Sequence, residues 1–193
     1  MADIRELHAR SVEDFAALVA AVPPDAWSRA TPCTDWDVRA LVNHVVGEEL
    51  WAAPLVDGAT IAEVGDRFDG DVLGEDAVGT SGTAAKGAVA AFAPEDAMDR
   101  IVHLSFGDTP ASEYAWQLFA DHLVHGWDLA VASGQRPRLP DDSVAALAEW
   151  FDEREDVYRQ VGAIADRADV DPDASPADRL LARFGRDPGW SSP

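Results

Sequence analysis

Apolar residues recur at helical spacing in several long runs of the chain. Leu7, Phe15, Leu18, Val19 and Val22 form one stripe, predicting a helix over residues 4–21 that Pro23 and Pro24 stop. A second helix is expected to open at Thr34 or Asp35, where Thr34-Asp35-Trp36-Asp37 has the form of a capping box. It continues through Val38, Leu41, Val42, Val45 and Val46 toward Trp51, and Pro54 should kink or end it. Residues 58–82 are rich in Gly and Asp and predict a surface loop with at most one short turn of helix; such loops often wall a site. A short alanine-rich helix is expected over residues 83–92, and an extended segment over 99–106 that turns at Gly107-Asp108-Thr109-Pro110. The most apolar helix, over residues 111–132, should be central, with Gly134 as its stop. A fifth, over residues 141–161, carries Val144, Leu147, Phe151 and Tyr158 inward and Glu149, Asp152, Glu153 and Glu155 on an exposed face. A short capped helix at Ser175-Pro176 brings Leu180, Leu181 and Phe184. The sum is one all-α domain over residues 1–193: an antiparallel bundle of four main helices with short additional helices and one short extended segment.

Charge changes the picture more than composition does. Fifteen basic residues stand against 36 acidic ones, a formal charge of -21, which excludes the basic footprint needed for nucleic acid and for anionic lipid. No run approaches the ~20 apolar residues of a membrane span, and charge from the third residue onward leaves no apolar signal core, so the expected location is the cytoplasm. The single cysteine, Cys33, can form neither an internal disulfide nor a cysteine cage for zinc. It precedes a helix N-terminus, where a thiolate would be stabilised, but no base is adjacent in sequence, so a buried structural role is expected. Lys86 is the one lysine and alanine the commonest residue, a pattern of GC-rich coding as in actinobacteria.

The informative residues are polar ones placed where the pattern calls for apolar ones. With Leu41 at the centre of the second helix's buried face and 100° per residue, Glu48 falls within about 40° of it and His44 about 60° away. His44 and Glu48 are also stacked at i,i+4. The central helix repeats the device with Asp121 and His125, about 40° apart, and Asp128 on the same side. Buried carboxylates and imidazoles persist when paired or metal-bound, and bundle cores build metal sites from facing helices. Two imidazole nitrogens and one carboxylate oxygen suit a divalent ion, zinc first, with nickel, iron or manganese also compatible. The assignment is therefore His44, Asp121 and His125 as metal ligands, Glu48 as a fourth ligand or a general base, and Asp128 as the acceptor that orients an imidazole. His122 points about 100° from Asp121 and reads as structural, or as a substitute ligand if the helix phase differs. His103 and Trp51 are expected to line the pocket, and His8 to lie on the surface. Trp127, like Trp51, flanks the ligand faces, whereas Trp27, Trp36, Trp116 and Trp150 read as packing.

The segment Thr31-Pro32-Cys33-Thr34-Asp35-Trp36-Asp37-Val38-Arg39-Ala40-Leu41-Val42-Asn43-His44-Val45-Val46-Gly47 resembles the opening signature of the DinB-like superfamily. Within it, the chain is most similar to the branch around the N-terminal domain of mycothiol-dependent maleylpyruvate isomerase. Asp121-His122-Leu123-Val124-His125-Gly126-Trp127-Asp128-Leu129-Ala130 resembles that branch's second signature, and Asp173-Ala174-Ser175-Pro176-Ala177-Asp178-Arg179-Leu180-Leu181-Ala182 the tail of its small actinobacterial members. The resemblance implies a DinB-like four-helix bundle with a divalent metal on His44, Asp121 and His125, and a low-molecular-weight thiol as cosubstrate. It implies a thiol-dependent transferase or isomerase acting on a small electrophile; either a monomer or a homodimer is expected. The isomerase carries a further C-terminal domain for which 193 residues leave no room, so isomerisation of maleylpyruvate itself is not expected. A metal-dependent hydrolase and a non-catalytic metal-binding bundle are the alternatives.

Overall fold

The computed structural model of the chain describes residues 3–191. In chain order the elements are α1 (Ile4–Ala20), α2 (Val38–Val56), the single turn α3 (Ile61–Val64), α4 (Ala77–Ala91), the hairpin strands β1 (Ile101–Leu104) and β2 (Gly107–Pro110), α5 (Ala111–Ser133), α6 (Asp141–Phe151), α7 (Glu155–Gln160) and α8 (Pro176–Arg183). The fold is an all-α bundle with one small two-stranded sheet. The four long helices close a ring in which α1 touches α4 and α5, and α2 touches the same two. Leu7 clusters with Phe119 and Leu123, and Phe15 and Leu18 lie against Gly126, so α1 and α5 run the same way. Glu49 meets His122 while His44 meets His125, so α2 and α5 run oppositely. Val38 clusters with Ala77, and Ala52 with Phe92, so α2 and α4 also share a direction. Residues 57–76 must therefore travel back along the bundle before α4 can begin. Asn43 pins this crossover to α2, donating to the Gly70 carbonyl and accepting from the Val72 amide, both at 2.9 Å. The crossover is a surface loop as expected, but it packs on α2 and lines no part of the cleft described below.

Several boundaries differ from the sequence reading, each for a local reason. The cap of α2 is Asp37, whose carboxylate accepts from the Ala40 amide at 2.8 Å, so the helix opens at Val38 and not at Thr34 or Asp35. The preceding residues are held as a loop by Thr31, whose hydroxyl donates to the Trp36 carbonyl at 2.9 Å and accepts from the Cys33 amide at 3.1 Å. Pro54 lies in the last turn, where it withholds an amide from the Leu50 carbonyl, and α2 ends two residues later at Val56. Helix α4 begins at Ala77 rather than at residue 83. Gly79, Gly82 and Gly87 each weaken it by about 1 kcal/mol, but the buried face of Ser81, Ala84, Ala85 and Ala88 packs on its neighbours and outweighs that. The expected turn at residues 107–110 is the second strand of the hairpin, with Gly107 at φ 128 making the reversal.

The predicted fifth helix is broken into α6 and α7. Glu155, expected on the exposed face, is 5 % exposed because Arg159, Arg167 and Arg183 converge on its carboxylate. These guanidinium groups, Arg167 foremost, hold the Glu155 carboxyl down to about 2. Phe151 stacks on Phe184 at 4.1 Å, so α8 and the chain beyond it are fixed against α6. At Gly185 (φ 79) a Cβ would lie 2.8 Å from the Ala165 Cβ, so this turn admits only glycine, and it delivers Arg186 to the bundle.

His8 is not on the surface but 1 % exposed, edge-on to Phe92 at 4.7 Å, with neither ring nitrogen bonded. Burial first, and the neighbouring His122 second, push its pKa down to about 3. The ring is thus neutral in the fold, whereas the unfolded chain takes up a proton below about 6.5. Its contribution is complete above that pH and is lost on acidification toward 3, at up to about 1.4 kcal/mol per pH unit. His8→Phe is expected to flatten the fall in stability between about pH 6 and pH 4, measured by urea denaturation against the wild type. An unchanged slope would show that His8 takes no part in acid unfolding.

Candidate metal centre

Helix α5 places Asp121 and His125 one turn apart on the side facing α2, and α2 brings His44 to the same point. The His44 Nε2 lies 3.3 Å from Asp121 Oδ2, and His125 Nε2 lies 3.4 Å from Asp121 Oδ1. The two imidazole rings stand 5.2 Å apart, nearly perpendicular. All three donor atoms fall within 4.8 Å of one another. Tetrahedral coordination with bonds of about 2.1 Å separates neighbouring donors by about 3.4 Å, and each imidazole stands near that distance from one of the two Asp121 oxygens. Asp121 Oδ2 is buried and has no hydrogen-bond partner, its approach to His44 having the distance but not the angle of a hydrogen bond. A buried carboxylate oxygen left without a partner between two imidazole nitrogens is what a shared cation would satisfy. The residues fit a divalent ion.

The second nitrogen of His125 is fixed from behind. Its Nδ1 lies 2.9 Å from Asp128 Oδ2, and Asp128, fully buried, also accepts from Arg186 Nη2 at 2.9 Å. Arg186 in turn donates through Nη1 to the Phe184 carbonyl at 2.8 Å. This chain of bonds turns the His125 Nε2 toward His44 and Asp121. Burial raises the Asp121 carboxyl, but His125 and then His44 outweigh it and hold the group well below the usual carboxylate range. Burial lowers His125, yet Asp121, joined by Asp128, holds it well above the ordinary histidine value. A metal must displace that proton, so binding should release protons and weaken in acid.

A second trio, Cys33, His125 and Asp128, also lies within 4.8 Å. There the Arg186 Nη2 sits 3.1 Å from the Cys33 Sγ and 2.9 Å from Asp128, so the guanidinium already supplies the positive charge. Cys33 is thus half-buried at the cleft wall among charged groups, not a buried packing residue as expected.

The other sequence candidates divide. Glu48 lines the cleft but stands outside both converging trios, which favours a proton-handling role over a fourth ligand. Burial, with Asp121 adding, raises its carboxyl above the usual range. His122 is buried away from the cleft; its Nδ1 donates to the Leu118 carbonyl at 2.6 Å and its Nε2 faces Glu49 Oε1 at 3.0 Å. Trp51 packs edge-on to Phe68 at 5.6 Å, and His103 pairs with Asp108 at 2.7 Å in the hairpin; neither lines the cleft. Three contributors escaped the sequence reading. Glu49 follows Val42, Val45 and Val46 on the fully buried stripe, a spacing that could have revealed it. Trp36, read as packing, covers both rings, 4.7 Å from His44 and 5.6 Å from His125. Arg186 left no signal, since its partner lies far away in sequence.

The three candidate ligands open onto a cleft of about 850 Å³ between α2 and α5. Residues 32–36 form one rim, and residues 158–165 with 184–186 form the other. The fold and site thus define a four-helix bundle with a histidine–carboxylate cluster beside a substrate-sized cleft. Residues 8–130 match the mycothiol maleylpyruvate isomerase N-terminal domain family, and the chain belongs to it. The chain is 34% identical over 185 residues, 93% of its own length and 95% of theirs, to two proteins of Mycobacterium tuberculosis, the uncharacterized protein Rv0738 of strain H37Rv and the uncharacterized protein MT0763 of strain CDC 1551. No solved structure shows significant similarity to it. The rim at residues 184–186 lies beyond the family match, which ends at residue 130.

Proposed function

We propose that this protein is a divalent-metal-dependent, thiol-dependent transferase or isomerase that joins a low-molecular-weight thiol of the mycothiol type to a small electrophile. The observation that carries the reading is the convergence of His44 Nε2, His125 Nε2 and the partnerless Asp121 Oδ2 at the edge of a cleft of about 850 Å³. A divalent ion held there, zinc being the best match to the donor set, would supply Lewis acidity that makes a coordinated thiol ionise near neutral pH. The chain's own residues do the remainder. Asp128 and Arg186 keep the His125 ring in register, Trp36 shields the two imidazoles, and the raised Glu48 carboxyl is placed to take up and return a proton. Membership of the family supports the thiol.

The test is the consumption of 4-chloro-3-nitrobenzamide by tag-free protein loaded with zinc, with and without mycothiol. The expected result is loss of the electrophile that requires both thiol and metal, and that disappears on chelation and in His44→Ala. Turnover that requires metal but not thiol would replace this reading by metal-dependent hydrolysis. Stoichiometric metal without turnover across a panel of thiols and electrophiles would leave a metal-binding bundle.

A further inference from the structure

Two features of the cleft bear on what it can hold. Among the described residues that line it, Arg186 is the one arginine or lysine, and its charge is already paired with Asp128: Nη2 and Nε lie on that carboxylate, Nη1 donates to the Phe184 carbonyl, and Cys33 stands at 3.1 Å. The acids Asp35, Glu48 and Asp121 line the same space, and none of them meets a lysine or arginine among the described ion pairs. A divalent ion on Asp121 would keep one net positive charge, facing Glu48 and Asp35, within a chain whose formal charge is -21. The second feature is Tyr114. It shares the cleft with Asp121, is 4 % exposed, and its hydroxyl has no hydrogen-bond partner. A buried phenol with an unused donor costs stability, and a bound acceptor would repay it.

We propose that the cleft takes an electrophile that is uncharged or cationic and carries an acceptor atom for the Tyr114 hydroxyl, and that it turns carboxylates away. The inference deepens the reading of this cleft as the substrate site and rests on it. Apart from the ion itself, an anionic compound would meet no free cation on the walls, and it would be repelled on approach by the field of the whole molecule. An amide or ketone oxygen would instead satisfy Tyr114, as a donor that burial keeps protonated.

The experiment measures binding alone, so it stands apart from turnover. Zinc-loaded full-length protein is titrated calorimetrically, without thiol, with 4-chloro-3-nitrobenzamide and with 4-chloro-3-nitrobenzoate, which differ only in charge and donor pattern. The amide is expected to bind at least roughly tenfold more tightly than the carboxylate. Tyr114→Phe should weaken amide binding roughly three- to tenfold, with no fall in Tm, because the hydroxyl has no partner to lose. Equal affinities, tighter binding of the carboxylate, or no measurable binding of the amide would overturn the proposal. So would a Tyr114→Phe variant that is less stable but binds the amide as the wild type does. Absence of thiol-dependent turnover alongside the expected binding pattern would count against the enzymatic reading and leave the selectivity of the cleft standing.

Discussion

Glu49→Ala is expected to destabilise the bundle by about 3–5 kcal/mol, the loss typical of removing one partner from a buried ion pair. Glu49 and His122 are 1 % and 2 % exposed, and the Glu49 Oε1 is 3.0 Å from the His122 Nε2. The His122 Nδ1 must donate to the Leu118 carbonyl, which can only accept, so a proton shared at Nε2 makes the ring an imidazolium. Burial opposes that charge, but the bond to Glu49 outweighs it and raises the pKa of His122. Without Glu49 the ring is left buried and uncompensated. The double variant Glu49→Leu/His122→Leu removes both groups and should recover most of the loss, since an apolar pair of similar volume is often as stable. Urea unfolding near pH 7 decides the matter. A cost below about 1 kcal/mol for Glu49→Ala would show that the pair is not charged in the fold.

The second large effect concerns metal affinity. His125→Ala is expected to abolish stoichiometric zinc binding, because it removes one of three ligands and frees Asp128 to face Arg186 alone. Arg186→Ala leaves every ligand in place but removes the guanidinium that steadies Asp128, and should weaken zinc about 10–100-fold, as loss of an orienting partner does elsewhere. Arg186→Lys restores the charge without the forked geometry and should fall between Arg186→Ala and the wild type. Competition against a chromogenic chelator reads all three. Zinc binding at wild-type affinity in Arg186→Ala would mean that the C-terminal segment does not position His125. Retention in His125→Ala would move the metal away from this cluster.

Much of this was legible in the residues. The helices over His44 and over Asp121 and His125 are long and strongly periodic, and polar side chains on an apolar stripe stand out at a known angular spacing. That spacing placed the two histidines and the aspartate on facing helices, and Asp128 behind them. It did less well with Glu48 and Glu49, adjacent on α2, because the residue chosen as the centre of the buried face shifts the wheel by more than the difference between them. His8 was misjudged because an imidazole at a helix start looks exposed until Phe92, far along the chain, is folded over it.

Local propensity and periodicity therefore determined by themselves that the chain is helical, where α1, α2 and α5 lie, and that His44, Asp121, His125 and Asp128 share the inward faces of their helices. The tertiary structure alone decided that the crossover at residues 57–76 stays off the cleft while the C-terminal segment closes it. Glu155 gathers three arginines, α6 and α7 part to let it do so, and Gly185 turns Arg186 onto Asp128. These are contacts between residues tens of positions apart. Their energies depend on charge brought out of water by packing, and no window of sequence contains that information.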